Sequence, residues 1–416
     1  MENLDLTNIK KAFFIGVGGI GISALAKMLL SRGIEVSGVN DEDSPKTLDP
    51  LKESGARIIF QKDYKELPPA DLYIYSDAWI YRGPDILEAA KKTGKPVLSY
   101  FEAIGEFAKE YKVIAISGTH GKTTTTAMVA EILTEAGLDP TVIVGSFVKK
   151  FGSNFRPGKG KYLVIEADEY NRHFLEFNPY IGVVTNIEAD HLDCYKDLDE
   201  IKEAFDKFLA QSEHKVTDYY KYLDKVPKLT VPGRHNRMNA AAALAVADIL
   251  GIPENIAQKA LAEFSGTWRR LEKRWETKEG VVIYDDYAHH PTEIKASLEA
   301  LRELYPKGAK TLTVLFQPHL YSRTKALFAD FAKSFDRADR VMLLPIYFAR
   351  EEKDESISSE KLAEAINENR IPAKAFADFG SAEDAVSALN LGSGDIFVTM
   401  GAGEAYKVAD QVFKIL

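Results

Sequence analysis

Cysteine is almost absent from this chain. Cys194 stands alone, which excludes an internal disulfide and a zinc site built from a cysteine cluster. Apolar runs long enough to span a bilayer are missing. The N-terminus, MENLDLTNIKKAFFIGVGG, also lacks the basic stretch and long apolar segment of a secretory signal. No low-complexity tract and no repeat of fixed length occurs, which excludes a solenoid. Basic residues are not in excess: 53 Lys and Arg against 62 Asp and Glu leave a formal charge of −9. That argues against nonspecific coating of nucleic acid or anionic lipid, while leaving room for a local basic pocket. The expectation is a cytoplasmic protein with no nucleic-acid and no membrane partner.

What is present is a globular composition, 45% hydrophobic and 28% charged, over 416 residues. That length exceeds one ordinary core, so two or three domains are expected. AFFIGVG, GIEVSGVN, ARIIF, DLYIYS and KPVLS read as strands, and ISALAKMLLSRG as a helix with a glycine stop. A second series has strands KVIAISG, YLVIEAD and YIGVVTNI, with helices TTTTAMVAEILTEAG and NAAAALAVADILG. Between them, about 196 to 230 is polar and shows no clear strand pattern. A third series begins near 264, with strands VVIYDDYA, TLTVLF, RVMLLPIYF and DIFVTMGAG and helices PTEIKASLEALREL and KALFADFAKSF. Strands alternating with helices imply parallel sheets covered on both faces, so the fold class is α/β with three domains.

Two glycine-rich turns follow strands and open helices. Gly16-Val17-Gly18-Gly19-Ile20-Gly21 permits a tight turn that aims a helix N-terminus at an anion, with Ser23 in the first turn. A dinucleotide site would want an acid at the end of the second strand, where Asn40 and Asp41 stand, so a nicotinamide cofactor is poorly supported. Gly118-Thr119-His120-Gly121-Lys122-Thr123-Thr124 is a stronger signal. Its backbone N–H groups can surround phosphate oxygens, Lys122 can neutralise β/γ charge and the Thr123 hydroxyl can bind Mg²⁺. Its first glycine lies closer to GK than the usual phosphate-loop spacing.

Acids cluster where strands end. Glu166, Asp168 and Glu169 follow one strand, and Asp190, His191 and Asp193 the next, suggesting a metal–nucleotide floor of oxygen donors. The pair His289-His290 has no third soft ligand at zinc spacing. Arg323, after FQPHLYS, can hold a carboxylate through two parallel N–H bonds.

Taken in order, GVGGIGIS, SGTHGKTTTT, EADE, VTNIEADHLD, GRHNRMNAAAA, TWRRLE, DDYAHHPTEI, FQPHLYSRT and MGAG resemble the Mur ligase family over almost the whole chain. The resemblance implies a UDP-substrate-binding Rossmann-like domain over 1–108 and a central P-loop ATPase domain with a mostly parallel sheet over 109–263. It implies a Rossmann-like C-terminal domain for amino acid and nucleotide over 264–416. ATP and Mg²⁺ are the implied cofactors. The loop Gly118–Thr124, Asn236, Asn239, Arg270 and Asp286 would bind ATP, with Thr123, Glu169 and His191 at the metal. Lys122, Glu169, His191 and Arg270 would carry catalysis. Gly16, Gly18, Gly19, Gly21, Ser23 and Ser76 would face the UDP substrate, and Tyr287, His289, His319 and Arg323 the amino acid.

The implied reaction adds L-alanine to the carboxylate of UDP-N-acetylmuramate through an acyl phosphate, in peptidoglycan precursor synthesis, by a monomer or homodimer. A related ligase attaching a recycled peptide or another amino acid is an alternative, and a non-catalytic UDP-sugar or ATP binding protein is another. Three departures from the family pattern stand out. Leu320 occupies a position where the family often has arginine, removing one of two expected cations for the amino-acid carboxylate. The stretch between Phe208 and Gly233 is short, which predicts a smaller central sheet or a free edge. Tyr170-Asn171 follows EADE where Ser-Asp is usual in alanine-adding members.

Overall fold

The computed structural model describes residues 8–191, 194–348 and 351–414. Asp193 therefore lies outside the described residues. The expected α/β class and three-domain organisation are observed, as three largely parallel sheets. Two compact units carry them. The first comprises Met1–Ala189, Asp197–Pro227 and Asn239–Glu263, and holds two sheets; the second comprises Asp190–Lys196, Lys228–Met238 and Phe264–Leu416.

The first sheet contains β1 (Lys11–Ile15), β2 (Glu35–Asn40), β3 (Arg57–Phe60), β4 (Leu72–Tyr75) and β5 (Val97–Ser99), in the order β3-β2-β1-β4-β5. All four pairings are parallel. The order reverses between β1 and β4, so the turns after those two strands form the crevice in which such sheets bind ligands. β1 reads KAFFI and buries its last four residues, as a strand covered on both faces must.

The second sheet contains β6 (Lys112–Ser117), β7 (Thr141–Val148), β8 (Ser153–Arg156), β9 (Tyr162–Glu166), β10 (Ile181–Val184) and β11 (His214–Val216), in the order β11-β10-β6-β9-β7-β8. Only the β7–β8 hairpin is antiparallel. The short stretch after Phe208 contributes one three-residue strand at an end of this sheet. The polar segment near 196 to 230 contains a helix that its strand-free reading passed over, Leu198–Ala210. Ile201, Ala204, Phe205 and Phe208 recur at helical spacing and are buried, and Asp197 caps the first turn by accepting from the Asp199 and Glu200 amides.

In the second unit, β12 (Glu272–Glu276), β13 (Val282–Asp286), β14 (Thr311–Phe316), β15 (Arg340–Leu343), β16 (Ala373–Ala375) and β17 (Asp395–Met400) run in the order β12-β13-β17-β14-β15-β16. Only β12 is antiparallel to its neighbour. The single helix expected over KALFADFAKSF is instead two short ones, Tyr321–Ala326 and Phe328–Ala332. They part at Leu327, whose ψ of 21° leaves the helical range.

Candidate active site

In the first unit, β6 runs into Gly118 and the helix Lys122–Glu135. Gly118 and Gly121 have φ of 126° and 85°, which side chains avoid. A Cβ on Gly121 would also lie 2.3 Å from Asn239 Oδ1, and one on Gly118 2.1 Å from Thr185 Oγ1. No side chain caps this helix, so its first-turn N–H groups suit a phosphate. Asn186, just beyond β10, braces the loop: its Oδ1 accepts from the His120 amide and its Nδ2 donates to the His120 carbonyl, both at 2.9 Å. The Thr185 hydroxyl donates to the same carbonyl at 2.6 Å, and the Glu188 amide donates to Thr119 Oγ1 at 2.8 Å. The His120 ring lies 3.5 Å from the Glu188 carboxylate.

The carboxylates after β9 meet different partners. Lys122 Nζ donates to both Glu169 oxygens at 2.8 Å and to the Gly118 carbonyl at 2.7 Å. Burial alone would lower the Lys122 ammonium; Glu169, then Asp168 and Glu166, outweigh it and hold the ammonium above its ordinary value. Thr123 donates instead to Glu166, at 3.1 Å, whose other oxygen accepts from the Gly145 amide at 2.5 Å. Glu169 thus pairs with the lysine while lying within 4.8 Å of the Asp168 carboxylate, an arrangement that also suits a cation, and Thr123 with Glu166 forms a second pair of oxygen donors in this unit. The reason is local: Glu166 ends β9, beside β6, whereas Glu169 lies three residues further along, outside the strand. Thr124 is buried within the helix.

The first glycine turn is held from β2. The Gly16 amide donates to the Val39 carbonyl at 2.8 Å and the Gly18 amide to Asn40 Oδ1 at 3.0 Å. Asn40 therefore spends its acceptor on the loop, and Asp41 beside it is paired with Arg82 at 2.6 Å. Gly19 is the N-cap of the helix Ile20–Ser31, Gly21 lies in its first turn, and Ser76 follows β4 across the crevice. Ser23 is a correction. It has no exposed surface; its hydroxyl donates to the Ile20 carbonyl at 2.9 Å and lies 3.0 Å from Asn154 Nδ2, which donates to it. It ties the helix to β8 and presents no hydroxyl to a diphosphate.

In the second unit, the adjacent arginines of TWRRLE separate in role. Arg269 is buried, donating to Asp285 at 2.7 Å and to the carbonyls of Gly401 and Gly403 at 2.7 and 2.8 Å. Arg270 is partly exposed, over the Tyr287 ring and 3.8 Å from Glu293. Asp286 accepts from the Ser297 hydroxyl, and burial pushes its carboxyl up to about 6. Tyr287, His289, His319 and Arg323 come together. The His289 and His319 rings meet edge to face at 5.9 Å, and Arg323 Nη1 lies 3.3 Å from His319 Nδ1. Burial pushes His289 down to about 4, so its ring is neutral near pH 7.

Tyr347, which the motifs did not single out, stacks on His319 with ring centres 5.5 Å apart. Its signal was its place after the strand of RVMLLPIYF, where this fold puts ligands. Asp190 and His191 belong to this unit, and Arg323 is bonded to Asp190. Burial pushes the Asp190 carboxyl up, but His191 and Arg323 outweigh it and hold it well below the usual carboxylate range. The asparagines of HNRMN part company: Asn236 belongs to the second unit and donates to the Pro232 carbonyl, while Asn239 belongs to the first, beside Gly121.

A lysine-bearing phosphate loop with paired carboxylates at the ends of parallel strands defines an enzyme that works on nucleoside triphosphates. Three family models match in succession: "Mur ligase family, catalytic domain" over 11–112, "Mur ligase middle domain" over 116–225 and "Mur ligase, glutamate ligase domain" over 269–403. The chain belongs to the Mur ligase family of ATP-dependent ligases.

It is similar to UDP-N-acetylmuramate–L-alanine ligase of Clostridium acetobutylicum, 39% identical over 98% of this chain and 99% of that one. The enzyme of the same name from Caldicellulosiruptor bescii is also 39% identical, over 98% and 99%. The first of these alignments spans 461 positions against 416 residues here, so this chain lacks residues its relative has. Among solved structures, the UDP-N-acetylmuramate–alanine ligase of Thermotoga maritima matches with a TM-score of 0.81 at 27% identity, over 97% of this chain and 98% of that one. A murein peptide ligase from Psychrobacter arcticus, at 22% identity and a TM-score of 0.67, shares the fold.

Proposed function

We propose that this chain joins L-alanine to the carboxylate of UDP-N-acetylmuramate at the expense of ATP, in cytoplasmic peptidoglycan precursor synthesis. The observation that carries this reading is the pairing of Lys122 with Glu169 and of Thr123 with Glu166 at one phosphate loop. Relatives at 37–39% identity that bear the name of this activity along their whole length support it. In the reaction, the sugar carboxylate oxygen attacks the γ-phosphorus and ADP departs. The amino acid's ammonium group loses a proton to water, its nitrogen attacks the acyl carbon, phosphate leaves with the bonding pair, and a second proton passes from nitrogen to water.

The residues mostly position and neutralise. The loop amides and Lys122 hold the β/γ-phosphates; as ATP enters, the ammonium exchanges part of its bond to Glu169 for phosphate oxygen. Thr123, Glu169 and, beside Thr123, Glu166 supply hard oxygen donors, which fit Mg²⁺. Bound there with ATP, the ion would neutralise phosphate charge; His191 is the further ligand implied by the family pattern. Arg270 and Asp286 serve the nucleotide, Arg323 takes the amino-acid carboxylate, and Tyr287, His289 and His319 line its place. Asn236 and Asn239 complete the nucleotide side, and the glycine turn after β1, with Ser76, takes the UDP diphosphate.

Phosphate release with ATP, Mg²⁺ and UDP-N-acetylmuramate tests the reading, comparing L-alanine, glycine, L-serine and the recycled tripeptide. Release dependent on L-alanine is expected. Preference for the tripeptide would transfer the assignment to the peptide-attaching relative, and absence of turnover with every amine would reject a ligase.

A further inference from the structure

Arg323 is the one cation that the family pattern leaves for the amino-acid carboxylate, since Leu320 replaces the other. Leu320 is buried, with a backbone φ of 70° and its amide bonded to the Tyr347 carbonyl at 2.8 Å. Arg323 does not stand alone, however. Its Nη2 and Nε donate to Asp190 Oδ1 at 3.0 and 3.2 Å, and both side chains are nearly buried, 8% and 11% exposed. The His191 amide donates to the same Oδ1 at 2.8 Å. All three hydrogen bonds thus fall on one oxygen. Among the described residues Oδ2 accepts none, with the His191 ring nitrogen 3.8 Å away. The Nη1 edge of Arg323 turns the other way, toward His319.

We propose that Asp190 anchors the α-ammonium group of the incoming amino acid through Oδ2 while Arg323 takes its carboxylate, so that the pair reads the substrate as a zwitterion. This rests on the amino-acid ligase reading and adds a specificity residue to it. The physical case is charge balance. A buried site with two cations rewards any small carboxylate and pays no attention to an amine. One arginine beside one aspartate is neutral as a pair, and a zwitterion entering it leaves no uncompensated buried charge. A carboxylate without an ammonium group would instead meet Asp190 as a like charge, which is specificity by repulsion. The two groups of an α-amino acid are separated by a single carbon, as a contiguous anion and cation require.

The test compares L-alanine with L-lactate, which keeps the carboxylate and replaces the ammonium group by a hydroxyl. In the unaltered enzyme, lactate is expected to inhibit only at concentrations at least about 10-fold above the KM for L-alanine, the discrimination of one charge-assisted contact. In Asp190→Asn the KM for L-alanine should rise by about 10-fold or more, while the Ki of lactate stays level or falls. The KM for ATP should not move, which checks that the variant is folded. Equal weakening of alanine and lactate would mean that Asp190 only positions Arg323, and would overturn the proposal. So would lactate binding to the unaltered enzyme as tightly as alanine, a result that needs no variant. If no amine supports UDP-N-acetylmuramate-dependent phosphate release, the ligase reading falls and the proposal with it; release with an unchanged KM in Asp190→Asn removes the proposal alone.

Discussion

Glu166 ends β9, Glu169 lies three residues beyond it, and they meet different partners, Thr123 and Lys122. Their substitutions should therefore separate. Glu166→Gln is expected to raise the Mg²⁺ concentration for half-maximal activity by about 10- to 100-fold. Glu169→Gln should raise that Mg²⁺ midpoint too and, through Lys122, the KM for ATP as well. Phosphate release across Mg²⁺ and ATP titrations reads both, and an unchanged KM for ATP in Glu169→Gln would refute the division. Asp286 sets a second expectation. Burial raises its carboxyl to about 6, so the charged form suited to the nucleotide is present above that pH and lost below it. The kcat/KM for ATP should be level near pH 8 and fall as pH drops through about 6; Asp286→Asn should lose that acid limb. The sequence marked all these residues as candidates, because strand ends are legible. It could not say which carboxylate meets which cation, since that depends on where the chain leaves β9.

At the scale of elements, the adjacent arginines of TWRRLE do opposite jobs. Arg269 locks β13 to the glycine turn after β17 through Asp285 and two carbonyls. Arg269→Met would leave Asp285 buried without its partner, at a cost of about 3–5 kcal/mol. Arg270→Met should stay within about 0.5 kcal/mol of the unaltered protein while reducing turnover. Urea unfolding alongside phosphate release distinguishes them, and equal destabilisation would show that both are structural. The helix Leu198–Ala210 is a similar case. Phe205 packs edge-on against Phe174 at 5.2 Å, and Phe205→Ala should cost about 3–5 kcal/mol of unfolding free energy, read from urea unfolding. That helix could have been found from the spacing of its apolar residues; the surrounding charge hid it. By contrast, β12 and β16 carry too few apolar residues to be seen, because they lie at the two ends of their sheet.

Across the whole molecule, stability should respond to pH through buried carboxylates. Glu131 lies within the helix that follows the phosphate loop, only 3% exposed. Burial pushes it up to about 7 despite Lys150 at 3.4 Å. A carboxyl raised in the folded state stabilises fully below its unfolded value, and that contribution disappears as pH rises through the folded value. Asp286, raised to about 6, acts in the same direction. Glu131→Gln should therefore be near neutral at pH 4.5 and more stable than the unaltered protein at pH 8, by on the order of 2 kcal/mol. Thermal unfolding at the two pH values measures it, and a loss of stability at pH 8 would mean that the ion pair with Lys150 dominates.

The sequence by itself determined the class of fold, most of the inner strands and the two glycine turns. Those features are written in short-range patterns: apolar runs, glycines at the ends of strands and residues that cap helices. It also determined the family, because a series of motifs in a set order is a linear property. The tertiary structure alone decided the pairings. Whether Ser23 faces a ligand or Asn154, which arginine is buried, and which anion Arg323 holds all depend on segments far apart in the chain. Contacts of that kind are set by how sheets stack and where turns leave them, and no local pattern of residues encodes their partners.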